Sequence, residues 1–139
     1  MSSKTLTGGC LCGAIRYEFD YPTDKPPTST HCHCNFCRKT TGSYFETFVP
    51  TTLDALRWMT ESRPKEYQKS ALGKRGFCPE CGSPLTWVSS DNPKRSMCVT
   101  VGSLDDADAV KGNMHIFYER VANAAKGVEP SLPKYTSGE

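Results

Sequence analysis

The stretch Cys10-Leu11-Cys12 is the first of three short cysteine clusters, and the others are Cys32-His33-Cys34-Asn35-Phe36-Cys37 and Cys78-Pro79-Glu80-Cys81. These clusters hold seven of the eight cysteines in a chain of 139 residues. Two residues separated by one in a strand point to the same face, and a Cys-x-x-Cys on a turn aims both sulfurs at one point. Zinc favours such soft, deprotonated ligands, at a zinc–sulfur distance of about 2.3 Å. The clusters therefore predict metal binding.

The clustered cysteines divide into four plus three. A structural zinc takes four protein ligands, whereas a catalytic zinc takes three and keeps one position open. We predict two zinc ions per chain, one structural and one at an active site, because this partition uses every clustered thiol without splitting a cluster. The structural site would consist of Cys10, Cys12, Cys78 and Cys81, and the active site of Cys32, Cys34 and Cys37.

Disulfides between clusters are an alternative, since this many cysteines in a secreted chain would suggest a set of bridges. However, residues 1–9 lack the apolar core of a signal peptide, and thiols one or two residues apart strain a mutual disulfide. A redox Cys-x-x-Cys of the thioredoxin kind usually precedes a long helix, whereas Gly82-Ser83-Pro84 follows Cys81. The metal site is the favoured interpretation.

Composition predicts one domain over residues 1–139, long enough for a modest core that two metals would help to hold. Lys and Arg number 17 against 15 Asp and Glu, with the signs interspersed, so nucleic acid is not an expected partner. No apolar run approaches membrane-spanning length, and we expect no membrane partner. Reduced cysteines without a targeting segment favour an intracellular, cytoplasmic protein.

Short alternating or β-branched stretches predict a mainly β fold, with strands too short for a parallel sheet. The predicted strands are 14–19, 44–49, 85–88, 97–101 and 115–118. Turn residues such as Asn92-Pro93 separate them, and single helical turns are predicted at 51–54 and 105–109. Cys98, inside a predicted strand, is interpreted as a small buried hydrophobic residue. We expect the segment 127–139, with two prolines, to be an extended tail.

The motifs resemble those of the glutathione-dependent formaldehyde-activating enzyme family, which also includes centromere protein V. The resemblance runs from residue 7 to residue 118. It rests on the three cysteine clusters with their flanking residues, on Gly102-Ser103-Leu104-Asp105-Asp106 and on His115-Ile116-Phe117. It implies small coiled antiparallel sheets around a structural zinc, with the same division of cysteines into structural and active-site ligands. It also implies addition of glutathione to formaldehyde, giving S-hydroxymethylglutathione, and thus a carbon–sulfur lyase read in the reverse direction.

The residues after the third active-site cysteine are candidates for substrate binding. Arg38 and Lys39 suit the carboxylates of a peptide-like thiol, and Gly42 and Ser43 offer backbone N–H and hydroxyl groups in a turn. Lys74 and Arg75 precede the last cluster and are further candidates for the same cleft. The alternative for each charged residue is a solvated surface side chain.

The histidines present a second possible ligand set. If the chain is extended around Cys32 and Cys34, His31 and His33 point to the opposite face, so both sets cannot hold one metal. Three thiols including Cys37 are the favoured ligands, which leaves the two imidazoles for supporting or proton-transfer roles. His115 is interpreted as a strand residue facing a sheet or groove.

Two classes of function remain open from the sequence. In the enzyme hypothesis, three thiolates leave a zinc with a net charge of about −1 and one open position, which suits a thiol such as glutathione that becomes a nucleophile for a small carbonyl. In the alternative, the domain is a zinc-stabilised binding or scaffold module, or a glutathione carrier, without catalysis. The favoured interpretation is the enzyme, with glutathione as its small-molecule partner.

Overall fold

The protein consists of strands with a few short helices in a computed structural model that describes residues 2–91 and 96–138. In chain order the elements are β1 (Ser3–Gly9), β2 (Arg16–Pro22), β3 (Thr28–Cys32), α1 (Asn35–Thr41), β4 (Glu46–Thr51), β5 (Arg57–Trp58), β6 (Lys65–Ser70), β7 (Gly73–Phe77), β8 (Pro84–Ser89), β9 (Met97–Thr100) and β10 (Lys111–Ile116). The predicted mainly β class is confirmed.

These strands form two sheets. One contains three strands in the order β1-β2-β5, and the other contains seven in the order β10-β3-β4-β9-β8-β7-β6. Strand β10 runs parallel to β3, with His115 opposite His31 and Ile116 opposite Cys32. The sequence predicted strands too short for a parallel sheet, and this one parallel pair departs from that expectation, while the other strand pairs are antiparallel. The long stretch of chain between β3 and β10 lets the later strand return in the same direction as the earlier one.

The predicted strands coincide with observed ones but differ at their ends. Strand β4 continues through Pro50, because this proline lies beyond the part of β4 that pairs with β3. Strand β9 stops at Thr100, where a 3₁₀ turn begins. Strand β10 begins earlier than predicted and ends at Ile116, because Phe117 adopts a left-handed conformation with φ of 51°.

The helical predictions were only partly right. Residues 53–55 form a hydrogen-bonded turn in which the Thr52 hydroxyl accepts from the backbone N–H of Ala55, at 3.2 Å. A 3₁₀ helix at Ala107–Ala109 is capped by the Asp106 carboxylate. Helix α1 was not predicted, because the cysteines that carry its first turn had been assigned to a metal site and not to a helix. The predicted turn at Asn92-Pro93 lies outside the described residues.

The core has two parts. The larger part fills the space under both sheets, and Ile15, Val49, Leu85 and Val99 in it are completely buried. The smaller part contains Cys32, Cys37 and Phe48, with Cys98 packed against them. Burial raises the pKa of the Cys98 thiol to about 12, which suits a packing residue. No helix among the described residues is long and apolar enough to span a membrane.

The end of the chain lies along the outer edge of β10. The backbone N–H of His115 donates to the carbonyl of Pro133, and the N–H of Tyr135 donates to the carbonyl of His115, both at 2.9 Å. A turn at residues 129–132 precedes this paired stretch. The tail thus adds backbone hydrogen bonds to the strand that lies beside β3.

Candidate metal centres and cleft

Four cysteines from two of the sequence motifs form one group, the four-cysteine cluster, which joins the two sheets. The sulfur atoms of Cys10, Cys12, Cys78 and Cys81 all lie within 4.8 Å of one another. The first two cysteines occupy the connection from β1 to β2, and the other two occupy the connection from β7 to β8. The structure thus brings together the four thiols that the partition assigned to a structural site. Because they come from different sheets, a metal here would clamp the sheets together.

Local hydrogen bonds shape the turn that contains Cys78 and Cys81. The N–H of Cys78 donates to the carbonyl of Ser83 at 3.0 Å, and the N–H of Gly82 donates to the carbonyl of Cys78 at 2.8 Å. Gly82 has φ of 77°, a conformation that favours glycine and turns the chain back around the sulfurs. A hydrogen bond from the Ser83 hydroxyl lowers the pKa of Cys81 to about 5. This environment favours the thiolate that a metal requires.

The three-cysteine cluster is formed by one short segment of the chain. Cys32 ends β3, Cys34 caps the N-terminus of α1, and Cys37 lies in the first turn of that helix. Their sulfur atoms also lie within 4.8 Å of one another, and the sulfur of Cys34 accepts from the N–H of Cys37 at 3.3 Å. Cys32 and Cys37 are buried, whereas Cys34 is half-buried. Cys34 is therefore the most exposed residue of the three.

The protonation of this cluster fits a bound cation. Hydrogen bonds from the thiols of Cys32 and Cys37 hold the pKa of Cys34 down to about 2. The hydrogen bond to Cys34 raises the pKa of Cys32 to about 12. The three thiols alone therefore stabilise one thiolate and keep the others protonated. A divalent cation would stabilise all three thiolates, so the donor set fits zinc.

Arg75 and Glu46 form a charged pair beside this cluster. The guanidinium of Arg75 donates to the sulfur of Cys37 at 3.5 and 3.6 Å and to the carboxylate of Glu46 at 3.1 Å. Burial raises the pKa of Glu46 to about 7. Arg75 was a sequence candidate for the cleft, whereas Glu46 was missed because nothing in its local sequence distinguishes it from other strand glutamates.

The candidate substrate contacts lie mostly in and after α1. Arg38 is half-buried and Lys39 is exposed, both in the last turn of the helix. The N–H of Gly42 donates to the carbonyl of Arg38, and the N–H of Ser43 donates to the Thr41 hydroxyl. These two backbone N–H groups, which we predicted would face a ligand, are therefore used to close the helix.

A cleft of ≈ 640 Å³ lies between the two cysteine clusters. Its lining includes Cys10, Leu11, Arg16, Thr41, Glu46 and Asp105. Arg16 and Asp105 form an ion pair on its wall, with one N–H to oxygen distance of 2.9 Å, and this pairing lowers the pKa of Asp105 to about 2. Glu46 is the residue that connects the cleft to the three-cysteine cluster, because it lines the former and pairs with the arginine that contacts the latter.

The three histidines form a buried group on the side of β3 away from the thiols. The Nε2 of His33 lies 2.8 Å from the Nδ1 of His115, and the Nε2 of His115 lies 3.1 Å from the carbonyl oxygen of Glu129. His31 bridges the Thr47 hydroxyl and the Glu129 carboxylate, at 2.7 and 2.8 Å. The imidazoles thus link β3 and β10 to the tail.

Hydrogen-bond chemistry places one proton in this group. A carbonyl oxygen only accepts, so the Nε2 of His115 carries a proton and donates to the carbonyl of Glu129, while its Nδ1 shares a hydrogen bond with the Nε2 of His33. Burial lowers the pKa of His33 to about 4, which keeps that ring neutral. Its Nδ1 is buried and has no hydrogen-bond partner among the described residues. The arrangement indicates structural imidazoles, whereas the sequence left both supporting and proton-transfer roles open.

Replacing His115 with alanine should lower the free energy of unfolding by about 3 kcal/mol, because it leaves a cavity and removes the hydrogen-bond partner of the His33 Nε2. The ring is fully buried, and both of its nitrogens are hydrogen-bonded. Chemical denaturation of zinc-loaded protein measures the change. Asn113→Ala, at an exposed position in the irregularity of the same strand, is the control, expected within about 0.5 kcal/mol of wild type. Equal losses for both variants would contradict the structural role.

Two sheets meet at one thiol cluster, and a second thiol cluster lies in the same β protein; both clusters could hold metal ions, consistent with zinc. The profile of the family described as "Glutathione-dependent formaldehyde-activating enzyme" matches residues 5–120. The chain therefore belongs to the glutathione-dependent formaldehyde-activating enzyme family, as its motifs predicted.

Individual relatives agree with this assignment. A Halomonas elongata protein named "Putative glutathione-dependent formaldehyde-activating enzyme" is 33% identical over 89 residues, which cover 60% of this chain and 55% of that protein. The chain thus matches about half the length of this curated relative. A crystal structure of a Rhodobacter sphaeroides protein has a TM-score of 0.57 and 22% identity, over 94% of this chain and 99% of that one. At this identity the likeness concerns the fold alone.

Proposed function

We propose that the protein is a zinc-dependent enzyme that adds glutathione to formaldehyde, in the manner of a carbon–sulfur lyase working in the direction of synthesis. The observation that carries the proposal is the convergence of three thiols, of which Cys34 is the half-buried one, next to Glu46, which lines a cleft. Family membership supplies the substrate class. The addition is balanced without a further reactant, because the thiol proton ends on the former carbonyl oxygen.

Zinc held by Cys32, Cys34 and Cys37 would leave one position for a substrate thiol and favour its thiolate at neutral pH. The second zinc would belong to the four-cysteine cluster, where its role is to hold the sheets together. The neighbouring residues supply the rest of the environment. Arg75 donates N–H groups to the Cys37 sulfur, and Glu46 places a carboxyl group between that arginine and the cleft.

Positive side chains at the end of α1 suit the substrate. Glutathione carries two carboxylates, and Arg38 and Lys39 are the cations that directly follow the cysteines of the open site. We propose that these two side chains attract the carboxylates, while Gly42 and Ser43 hold the turn that closes the helix. Arg16, on the wall of the cleft, is a poorer candidate for this role, because it is already paired with Asp105.

The test separates binding from catalysis. Titration calorimetry of zinc-loaded protein with glutathione should show one site per chain, and S-methylglutathione, which offers no thiol, should bind more weakly. Exchange between formaldehyde, glutathione and their adduct, followed by NMR, should exceed the uncatalysed rate. Binding without faster exchange would instead support a glutathione carrier. Absence of both would refute the proposed substrate.

A further inference from the structure

A buried ion pair lies next to the candidate open metal site. The side chain of Arg75 is 13% exposed and that of Glu46 is 4% exposed. Such a pair carries a desolvation cost, and removal of one partner leaves an uncompensated charge. The guanidinium uses N–H groups for both neighbours, the Glu46 carboxylate and the Cys37 sulfur. Arg75 therefore contacts both its ion-pair partner and a thiol of the three-cysteine cluster.

The backbone that carries Arg75 is held on both sides. Strand β7 lies between β6 and β8, and Arg75 is paired across them with Tyr67 and with Trp87. The same strand ends at Phe77, directly before Cys78 of the four-cysteine cluster. Strand β7 thus places Arg75 beside the three-cysteine cluster, and the residue that follows the strand, Cys78, belongs to the four-cysteine cluster. The guanidinium approaches Cys37 from a fixed position.

A guanidinium is well suited to a buried thiolate. Three thiolates and a divalent zinc leave a net charge of about −1, which a neighbouring cation offsets. Cys37 is 2% exposed, so water is a poor source of hydrogen bonds for its sulfur. The planar fork of arginine can donate two N–H groups to one atom and another to a carboxylate, which a lysine ammonium does not reproduce.

We propose that Arg75, held by Glu46, is a positioning residue for the three-cysteine centre, stabilising the Cys37 thiolate and tying this centre to the four-cysteine centre through β7. The inference rests on the proposed zinc site and not on the proposed glutathione reaction. Residues that support metal ligands in this way typically contribute about 10–100-fold to metal affinity. The expected effect of losing Arg75 is of this size, and it should be confined to one of the two centres.

The test uses metal binding to the full chain. Cobalt(II) is titrated into reduced protein in competition with a chelator, and the sulfur-to-cobalt charge-transfer bands report on each centre. Arg75→Met should weaken binding at the three-cysteine centre about 10–100-fold and leave the four-cysteine centre unchanged. The charge-transfer band of the affected centre should move to lower energy, because a sulfur without N–H donors gives up its electrons more easily. Lys69→Met, exposed on the neighbouring strand β6, is the control.

A second variant guards against misfolding. Arg75→Met leaves the buried Glu46 carboxyl group without its partner, so the double variant Arg75→Met/Glu46→Gln removes both ionisable groups together. It should fold, and its three-cysteine centre should still bind cobalt more weakly, with the same band shift. Arg75→Lys should recover only part of the affinity. The positioning role would be refuted if the folded double variant bound cobalt as tightly as wild type, or without a band shift. This outcome does not depend on whether the protein binds glutathione.

Discussion

Replacing Cys34 with alanine should abolish formation of S-hydroxymethylglutathione above the uncatalysed background and leave the fold intact. Cys34 is the most solvent-accessible of the three clustered thiols, and without it two sulfurs remain to hold a metal. Its structural contribution is local, since its sulfur accepts one hydrogen bond as the N-cap of α1. Loss of such a cap costs about 1 kcal/mol. NMR exchange rates on metal-loaded protein provide the measurement.

Cys98→Ala is the control for this variant. Cys98 packs against the same part of the core but belongs to neither thiol cluster, so its loss should leave the exchange rate near that of wild type. Far-UV circular dichroism and the metal content of the four-cysteine centre report whether the Cys34 variant has folded. Full activity in a folded Cys34 variant would contradict the assignment of the active centre to the three cysteines.

Replacing Cys78 with serine should disrupt folding far more than replacing Cys37 with serine. Cys78 is fully buried, and its cluster joins the two sheets. Structural zinc sites contribute about 10–16 kcal/mol of binding free energy to folding, which is comparable to the whole stability of a domain, about 5–15 kcal/mol. The Cys78 variant should therefore lose its cooperative thermal transition. The Cys37 variant should keep one, because its cluster lies within a single strand and helix.

Zinc content distinguishes the two centres in the same experiment. Reduced, zinc-replete wild type should contain nearly two zinc ions per chain, and the Cys37 variant nearly one. Cys98→Ser controls for the loss of a cysteine outside the clusters. A lower melting temperature for the Cys37 variant than for the Cys78 variant would show that the roles of the two clusters are reversed. A limit of one zinc in wild type would exclude the second centre.

The two centres differ in how far apart their ligands lie in the chain. Cys12 and Cys78, whose sulfurs are 3.8 Å apart, are separated by 66 positions, whereas the three-cysteine cluster is formed by a single short segment. Ordering a long chain segment carries an entropy cost that a metal at its ends can offset. We therefore expect the four-cysteine centre to contribute most to folding. The three-cysteine centre contributes less, which is compatible with its proposed role as the active site.

Much of the site was predictable because metal ligation depends on spacing within short motifs. The clusters indicated which thiols act together, and the structure groups their sulfurs in the same way. Helix α1 was missed for the same reason, since Cys34 and Cys37 belong both to a ligand motif and to a helix start. The backbone N–H groups of Gly42 and Ser43 close the helix, a use that the residue types alone did not reveal, while a substrate contact of these two residues stays a prediction.

By itself, the sequence determined the mainly β class, the division of the thiols into four and three, and the family, because strand alternation and ligand spacing are local properties. Only the tertiary structure decided which distant groups meet. Arg75 reaches Cys37 across 38 positions, and His33 reaches His115 across 82 positions through the parallel pairing of β3 and β10. Contacts of this kind depend on strand order and register, which result from burial over the whole chain and are not encoded in any single segment.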